Sequence, residues 1–158
     1  MAKKAKTNAM RMLERAKIAY RAHAYGGEDF KDGVTVAGLL GEPVERVYKT
    51  LVTVGASGAN YVFVIPVAKE LQLKAAARAV GEKSVAMLPS ARITEVTGYI
   101  KGGCSPVGMK KQFVTVVDEA ARTEDEIYVS AGRRGEQISL SPDDLCRVSG
   151  AHYAAVAE

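Results

Sequence analysis

The chain has 158 residues, of which 47% are hydrophobic and 25% are charged, a balance that fits one globular domain with a sizeable core. No segment approaches the about 18 apolar residues of a membrane span, and the basic start lacks the apolar stretch of a signal peptide, so we expect a cytoplasmic protein. Two cysteines, two histidines and no Cys-x-x-Cys pair argue against a structural zinc site, and we expect neither metal nor cofactor. The net charge of +4 permits a polyanionic partner, although solvated surface charge is the simpler explanation.

Short helices and strands are predicted in turn along the chain. Apolar spacing predicts helices up to residue 17, over 34–40, 69–80 and 90–96, and from Pro142 onward, with Thr7 or Asn8 capping the first and Ser141 the last. Strands are predicted over 18–25, 47–54, 61–67, 85–88, 113–117, 127–130 and 137–140. No repeat or linker interrupts them, so we predict a single domain over residues 1–158 with a mixed α/β or α+β fold and antiparallel hairpins.

Lys49 is the first candidate functional residue, because it lies in an otherwise apolar strand, Tyr48-Lys49-Thr50-Leu51-Val52. Strand alternation places it on the same face as Leu51. A lysine beside inward apolar neighbours either extends to solvent at a sheet edge or is held for a purpose. The sequence alone leaves both explanations open.

A glycine-rich loop over residues 98–108 is the second candidate, with four glycines and Pro106. Glycine permits positive φ, so such a loop can direct several N–H groups at an anion or at a carbonyl oxygen that gains charge. An ordinary turn-rich connection is the alternative. Cys104 lies within the loop, but no thiol-enzyme motif surrounds it, and His23 and His152 could reach it only through long-range folding.

A second glycine turn covers residues 130–135, where Ser130 could donate a hydrogen bond and Arg133 and Arg134 could contact phosphate. A plain hairpin turn with exposed charge explains it equally well. The phosphate-binding, zinc-protease and serine-hydrolase motifs are all absent from the sequence. No side chain is therefore an obvious general base or nucleophile.

Three stretches resemble the YbaK family of trans-editing aminoacyl-tRNA deacylases. They are residues 48–52, the glycine loop with its continuation to Lys111, and residues 127–135. Their order and the helix–strand pattern are similar to that family over nearly the whole chain. The resemblance implies an α+β fold with a mostly antiparallel mixed sheet, curved into a barrel-like core and surrounded by helices.

The resemblance also implies an enzyme that removes cysteine from mischarged proline tRNA, with Cys-tRNA(Cys) as a further substrate to consider. Editing is needed because the side chains of cysteine and proline have similar sizes, and the binding pocket of prolyl-tRNA synthetase cannot strongly reject a residue of nearly the same size. The implied partners are the aminoacyl end of the tRNA and prolyl-tRNA synthetase. In the family's proposed mechanism the substrate's own thiol attacks its ester carbonyl, which fits the missing general base.

Site residues follow from the matching positions. Lys49 matches the essential lysine, which either anchors substrate or adds positive charge at the oxyanion. The residues implied to contact the aminoacyl group or its oxyanion are Gly102, Gly103 and Pro106 of the glycine loop, Ser130 of the second turn, Tyr25 and Phe30. Residues 26–33, which include Phe30, depart from the family pattern.

Two other functions are alternatives to this deacylase. A sister deacylase would remove alanine from the proline tRNA by activating water. A non-catalytic module would bind tRNA ends or a synthetase, but pure binding does not need an oxyanion site built around Lys49 and the glycine loop.

Overall fold

The computed structural model describes residues 5–27, 29 and 31–158, so the predicted pocket residue Phe30 lies outside the described residues. The helices are α1 (Asn8–Arg15), α2 (Gly33–Leu40), α3 (Leu73–Val80), α4 (Ile93–Thr97) and α5 (Pro142–Ser149). The strands are β1 (Arg21–Ala24), β2 (Tyr48–Gly55), β3 (Asn60–Pro66), β4 (Val85–Met87), β5 (Val114–Asp118), β6 (Ile127–Ser130), β7 (Glu136–Leu140) and β8 (His152–Ala154).

The strands form two sheets. One has five strands in the order β4-β2-β3-β5-β8, in which β2 runs antiparallel to β3 and β4 whereas β5 runs parallel to β3 and β8. The other is antiparallel, in the order β1-β7-β6. An isolated bridge between Val47 and Tyr128 joins them. The predicted mixed α+β fold is confirmed, while closure of its sheets into a barrel stays a prediction.

The main core lies between the two sheets. Val64 and Val117 of the larger sheet pack in one cluster with Ile138 of the smaller sheet, Leu13 of α1 and Leu145 of α5. A second cluster joins the opposite face of the larger sheet to α3. β3 is therefore covered on both sides, and its apolar run Val62-Phe63-Val64-Ile65 is almost fully buried.

Local patterns misplaced several element boundaries. α3 was predicted from residue 69 but begins at Leu73, because the N–H groups of Glu70 and Gln72 donate to carbonyls of the C-terminal segment, at Glu158 and Val156. The predicted strand 18–25 contracts to β1 (Arg21–Ala24). Strand β8 was missed, since three residues show too little periodicity to be recognised.

Two predictions concerned helix caps. Thr7 caps α1, as expected, by accepting a hydrogen bond from the Met10 N–H. Ser141 occupies the N-cap position of α5 and Pro142 its first turn, as expected, but the Ser141 side chain makes no capping hydrogen bond. The proline, with its fixed φ, remains the local signal that starts this helix.

Candidate active site

A cavity of about 470 Å³ lies where α2 begins and where β2, the end of β4 and the glycine loop meet. Four residues predicted from the sequence line it together, namely Tyr25, Lys49, Gly102 and Ser130. Gly103 and Pro106 are buried in the glycine loop but are not among the lining residues. The fold thus brings four of the six predicted site residues that the structure describes, Lys49 among them, to one cavity.

Lys49 is a partly buried cation in the cavity wall. It pairs with Ile65 in the register of β2 and β3, and β2 lies between two other strands of its sheet. Within the described part of the chain, its ammonium makes no ion pair or hydrogen bond. β4 pairs with β2 only over residues 53–55, so at Lys49 the strand is paired on the β3 side alone. A functional role for Lys49 is favoured because its charge lines the cavity and has no partner among the described residues.

The charge of the cavity wall is predominantly positive. Lys31 and Lys101 line the cavity with Lys49, against one carboxylate among the described lining residues, that of Asp32. Asp32 caps α2 by accepting the Thr35 N–H, and this hydrogen bond holds the pKa of its carboxyl below the usual range. The cavity therefore attracts anionic groups such as the phosphates of a nucleic-acid end.

Two hydroxyl groups are positioned by the second glycine turn. The Tyr25 N–H donates to the Gly135 carbonyl at 2.9 Å, and the Tyr25 hydroxyl accepts from the Gly135 N–H at 3.1 Å. The Ser130 hydroxyl accepts from the Gly132 N–H at 3.2 Å. Because both hydroxyl oxygens act as acceptors in these bonds, each keeps its own hydrogen to donate to a ligand.

The glycine loop forms a tight turn at the cavity. The Gly103 N–H donates to the Ile100 carbonyl at 2.9 Å, and Gly102, the third residue of this turn, has φ +84°. The expected contribution of the Gly103 N–H to an oxyanion site must therefore be revised, since the turn already uses that donor. In the described part of the chain, the N–H groups of Gly102 and Cys104 have no acceptor, and both residues line the cavity.

Cys104 lines the cavity as a neutral thiol. Burial raises its pKa to about 11, against a smaller opposing effect of a hydrogen bond with Thr97. A nucleophilic cysteine needs the opposite, a lowered pKa and a nearby base, and no histidine is among the described residues that line this cavity. Cys104 is thus part of the wall and not an activated nucleophile.

Thr50 and Gln137 are cavity residues that the sequence analysis missed. The Thr50 hydroxyl oxygen and the Gln137 side-chain carbonyl oxygen are buried and have no hydrogen-bond partner among the described residues. An unmatched buried acceptor costs about 1–3 kcal/mol, so a ligand that donates to these oxygens is favoured. For Thr50 the available signal was a polar residue within an otherwise apolar strand. Gln137 gave no such signal, since its strand β7 also carries Glu136 and Ser139.

The described residues contain neither a cluster of metal-ligand side chains nor a helix that could span a membrane. There, no three His, Cys, Asp or Glu side chains come together as metal ligands would. None of the helices described has the length and apolar character needed to cross a membrane.

The close contact of the two glycine loops gives a first prediction. A Cβ on Gly103 would lie 3.0 Å from backbone atoms of Arg133 and Arg134, so Gly103→Ala must push the loops apart and should lower the free energy of unfolding by about 1–3 kcal/mol. Gly38→Ala is the control, because Gly38 lies within α2 with open space around it and alanine there should add up to about 1 kcal/mol. Urea unfolding of both variants measures this, and unchanged stability of Gly103→Ala would contradict the loop contact.

Comparison with known proteins identifies the class. The chain belongs to the aminoacyl-tRNA editing domain family, whose model matches residues 28–148. The resemblance drawn from the sequence motifs is thereby confirmed. The matched range contains Lys49, the glycine loop and Ser130, whereas Tyr25 lies just before it.

Individual relatives cover nearly the whole chain. A protein of Enterococcus faecalis named "Putative Cys-tRNA(Pro)/Cys-tRNA(Cys) deacylase EbsC" is 46% identical over 152 residues, which are 96% of this chain and 93% of that protein. The crystal structure of hypothetical protein APE2540 has a TM-score of 0.89 at 26% identity and covers 96% of this chain and 100% of its own. A "putative trans-editing enzyme for prolyl tRNA synthetase" has the same fold, with a TM-score of 0.83 at 24% identity over 96% and 95% of the two chains.

Proposed function

We propose that this protein is a cytoplasmic trans-editing deacylase that removes cysteine from mischarged proline tRNA. The observation that carries the proposal is a cavity with a free cation and several hydrogen-bond donors but no general base among its described residues. Asp32, the one carboxylate among the described lining residues, accepts the Thr35 N–H at the start of α2, which lowers its pKa. The name of the Enterococcus faecalis relative supports the choice of cysteine as the amino acid, with Cys-tRNA(Cys) as a second substrate.

A substrate thiol can replace the missing base and nucleophile. A free thiol with a pKa of about 8.5 is a few per cent thiolate at neutral pH, and holding it against the ester carbonyl supplies a high effective concentration. The thiolate sulfur bonds to the carbonyl carbon, the bond from that carbon to the tRNA oxygen breaks, and the tRNA leaves as its hydroxyl after taking a proton. Water then opens the released cyclic thioester to give cysteine.

The residues of the cavity wall have separate roles in this step. The Gly102 N–H, with that of Cys104, stabilises the oxyanion that develops when the thiolate attacks. Lys49 adds positive charge, either at this oxyanion or at the terminal nucleotide. Gln137 and Thr50 offer acceptors to the α-ammonium group of the aminoacyl ester, and the hydroxyl groups of Tyr25 and Ser130 donate to its sugar or carbonyl oxygens. For Pro106 and Phe30 a substrate contact stays a prediction.

The tRNA is selected outside this cavity in our proposal. A cavity of about 470 Å³ has room for an aminoacyl group and part of the terminal nucleotide, and it cannot inspect the rest of the tRNA. Prolyl-tRNA synthetase, which makes the mischarged product, is the partner that we propose to present it.

The test compares two aminoacyl groups on the same tRNA. We expect rapid release of cysteine from the proline tRNA and release of alanine that is slower by at least about 100-fold. The alanine side chain carries no nucleophile, and the described residues that line the cavity supply no general base, whose contribution is usually about 10²–10⁴-fold. Single-turnover release of labelled amino acid measures both rates. Faster release of alanine would replace the proposal by water-dependent editing, and tRNA binding without any release would replace it by a binding module.

A further inference from the structure

Arg134 connects the two glycine loops at the peptide group between Lys101 and Gly102. Its Nε donates to the Lys101 carbonyl oxygen at 2.7 Å, across 33 residues of sequence. That carbonyl belongs to the same peptide group as the Gly102 N–H. In a planar trans peptide the C=O and N–H bonds point in opposite directions, so a contact that fixes the carbonyl on one side fixes the N–H on the other.

The orientation of this peptide defines the type of the turn. The hydrogen bond from Gly103 to Ile100 makes Lys101 and Gly102 the two central residues, and φ +84° at Gly102 is the value of a type II turn. Types I and II differ in the orientation of the central peptide. After a flip to type I, the Lys101 carbonyl oxygen would replace the Gly102 N–H at the cavity and repel a developing oxyanion.

We propose that Arg134 is a positioning residue that holds the peptide between Lys101 and Gly102 in the orientation that presents the Gly102 N–H to the cavity. The guanidinium also polarises the peptide, since a charged donor on the carbonyl strengthens the N–H as a donor. This inference rests on the proposed function for its catalytic consequence but not for its geometry.

The surroundings of Arg134 favour this arrangement. Gly103 lets the two loops approach backbone to backbone, with a Cβ there only 3.0 Å from the Arg134 nitrogen. Gly132 similarly lies against the Tyr99 ring, and the Tyr99 hydroxyl donates to the Val107 carbonyl at 2.7 Å inside the glycine loop. The second turn is therefore packed against the glycine loop, and this packing positions Arg134 beside the Lys101 carbonyl.

Arg133 provides a matched control. It is the neighbouring arginine of the same turn, but its side chain donates to Glu136 at 2.7 Å and to the Ala5 carbonyl. Arg133→Ala removes an equal charge from the same turn and leaves the bond to Lys101 intact. Arg134→Lys is the second variant, because it keeps the charge but replaces the planar donor fork by a single ammonium.

The experiment measures kcat and KM for cysteine release together with the Gly102 amide resonance of 15N-labelled protein. We expect Arg134→Ala to lower kcat by about 10- to 100-fold, less than the 10²–10³-fold of losing a whole oxyanion donor, with KM changed less than twofold. Arg134→Lys should keep KM and still lose kcat. The Gly102 resonance should shift or split in both variants and stay unchanged in Arg133→Ala.

Two outcomes would overturn the inference. In one, Arg134→Ala raises KM and leaves kcat unchanged, and Arg134→Lys has the wild-type KM. That is the behaviour of a phosphate contact. The other is a Gly102 resonance that does not respond to Arg134→Ala. If the wild-type protein released no amino acid at all, the proposed function would fail, and the resonance would still decide whether Arg134 orients the peptide. If Arg134→Ala did not fold, Arg134→Lys alone would decide.

Discussion

Replacing Lys49 by alanine is expected to lower kcat/KM for cysteine release by about 10²–10³-fold, the usual effect of removing one group that stabilises an oxyanion. The structure supports a large effect, because Lys49 is a partly buried cation with no partner in the described chain and it lines the cavity. A cation placed in this way has its charge available for the substrate. Single-turnover release from the proline tRNA charged with cysteine measures the effect.

The same kinetics separate the two roles of Lys49. Stabilisation of the transition state alone lowers kcat, whereas an anchor for the terminal nucleotide raises KM with kcat retained. Lys74→Ala is the control, because Lys74 is exposed on α3 and does not line the cavity. If Lys49→Ala kept the wild-type rate, or if both variants lost activity equally, Lys49 would not be a residue of the active site.

Serine on the same tRNA is expected to be released at least about 100-fold more slowly than cysteine. A hydroxyl nucleophile needs a general base, whose contribution is about 10²–10⁴-fold, and the described cavity residues supply none. The cysteine rate should rise nearly tenfold per pH unit below about 8, because the thiolate fraction of a group with a pKa of about 8.5 rises in that proportion. Release rates from the two aminoacyl-tRNAs across pH 6–8 measure this, after subtraction of the rate without enzyme.

A flat pH profile for cysteine would place the nucleophile elsewhere, and equal rates for serine and cysteine would remove the substrate thiol from the mechanism. The comparison of cysteine and serine release is repeated with Cys104→Ser. Oxidation of the Cys104 thiol cannot then account for any difference between the two rates. Cys104 is a neutral wall residue in the structure, so we expect the preference for cysteine over serine to persist in that variant.

Much of the fold follows from short-range patterns in the sequence. The run Val62-Phe63-Val64-Ile65 predicts a strand covered on both faces, because only such a strand can bury four consecutive apolar side chains. α2 ends at Gly41, which adopts the left-handed conformation that glycine tolerates best. The start of α3 was predicted wrongly, since it depends on pairing with the distant residues 156–158.

For the site, the sequence determined which residue types are available. A lysine in an apolar strand, two glycine-rich turns and three ordered motifs were enough to identify the family and to select Tyr25, Lys49, Gly102 and Ser130, which the fold brings to one cavity. Only the tertiary structure decided which donors and acceptors are in use. The Gly103 N–H is taken by Ile100, the Thr50 and Gln137 oxygens are left without partners, and the Lys101 carbonyl is held by Arg134. Periodicity and φ preferences are properties of neighbouring residues, whereas a hydrogen bond between loops depends on where the whole chain places each atom.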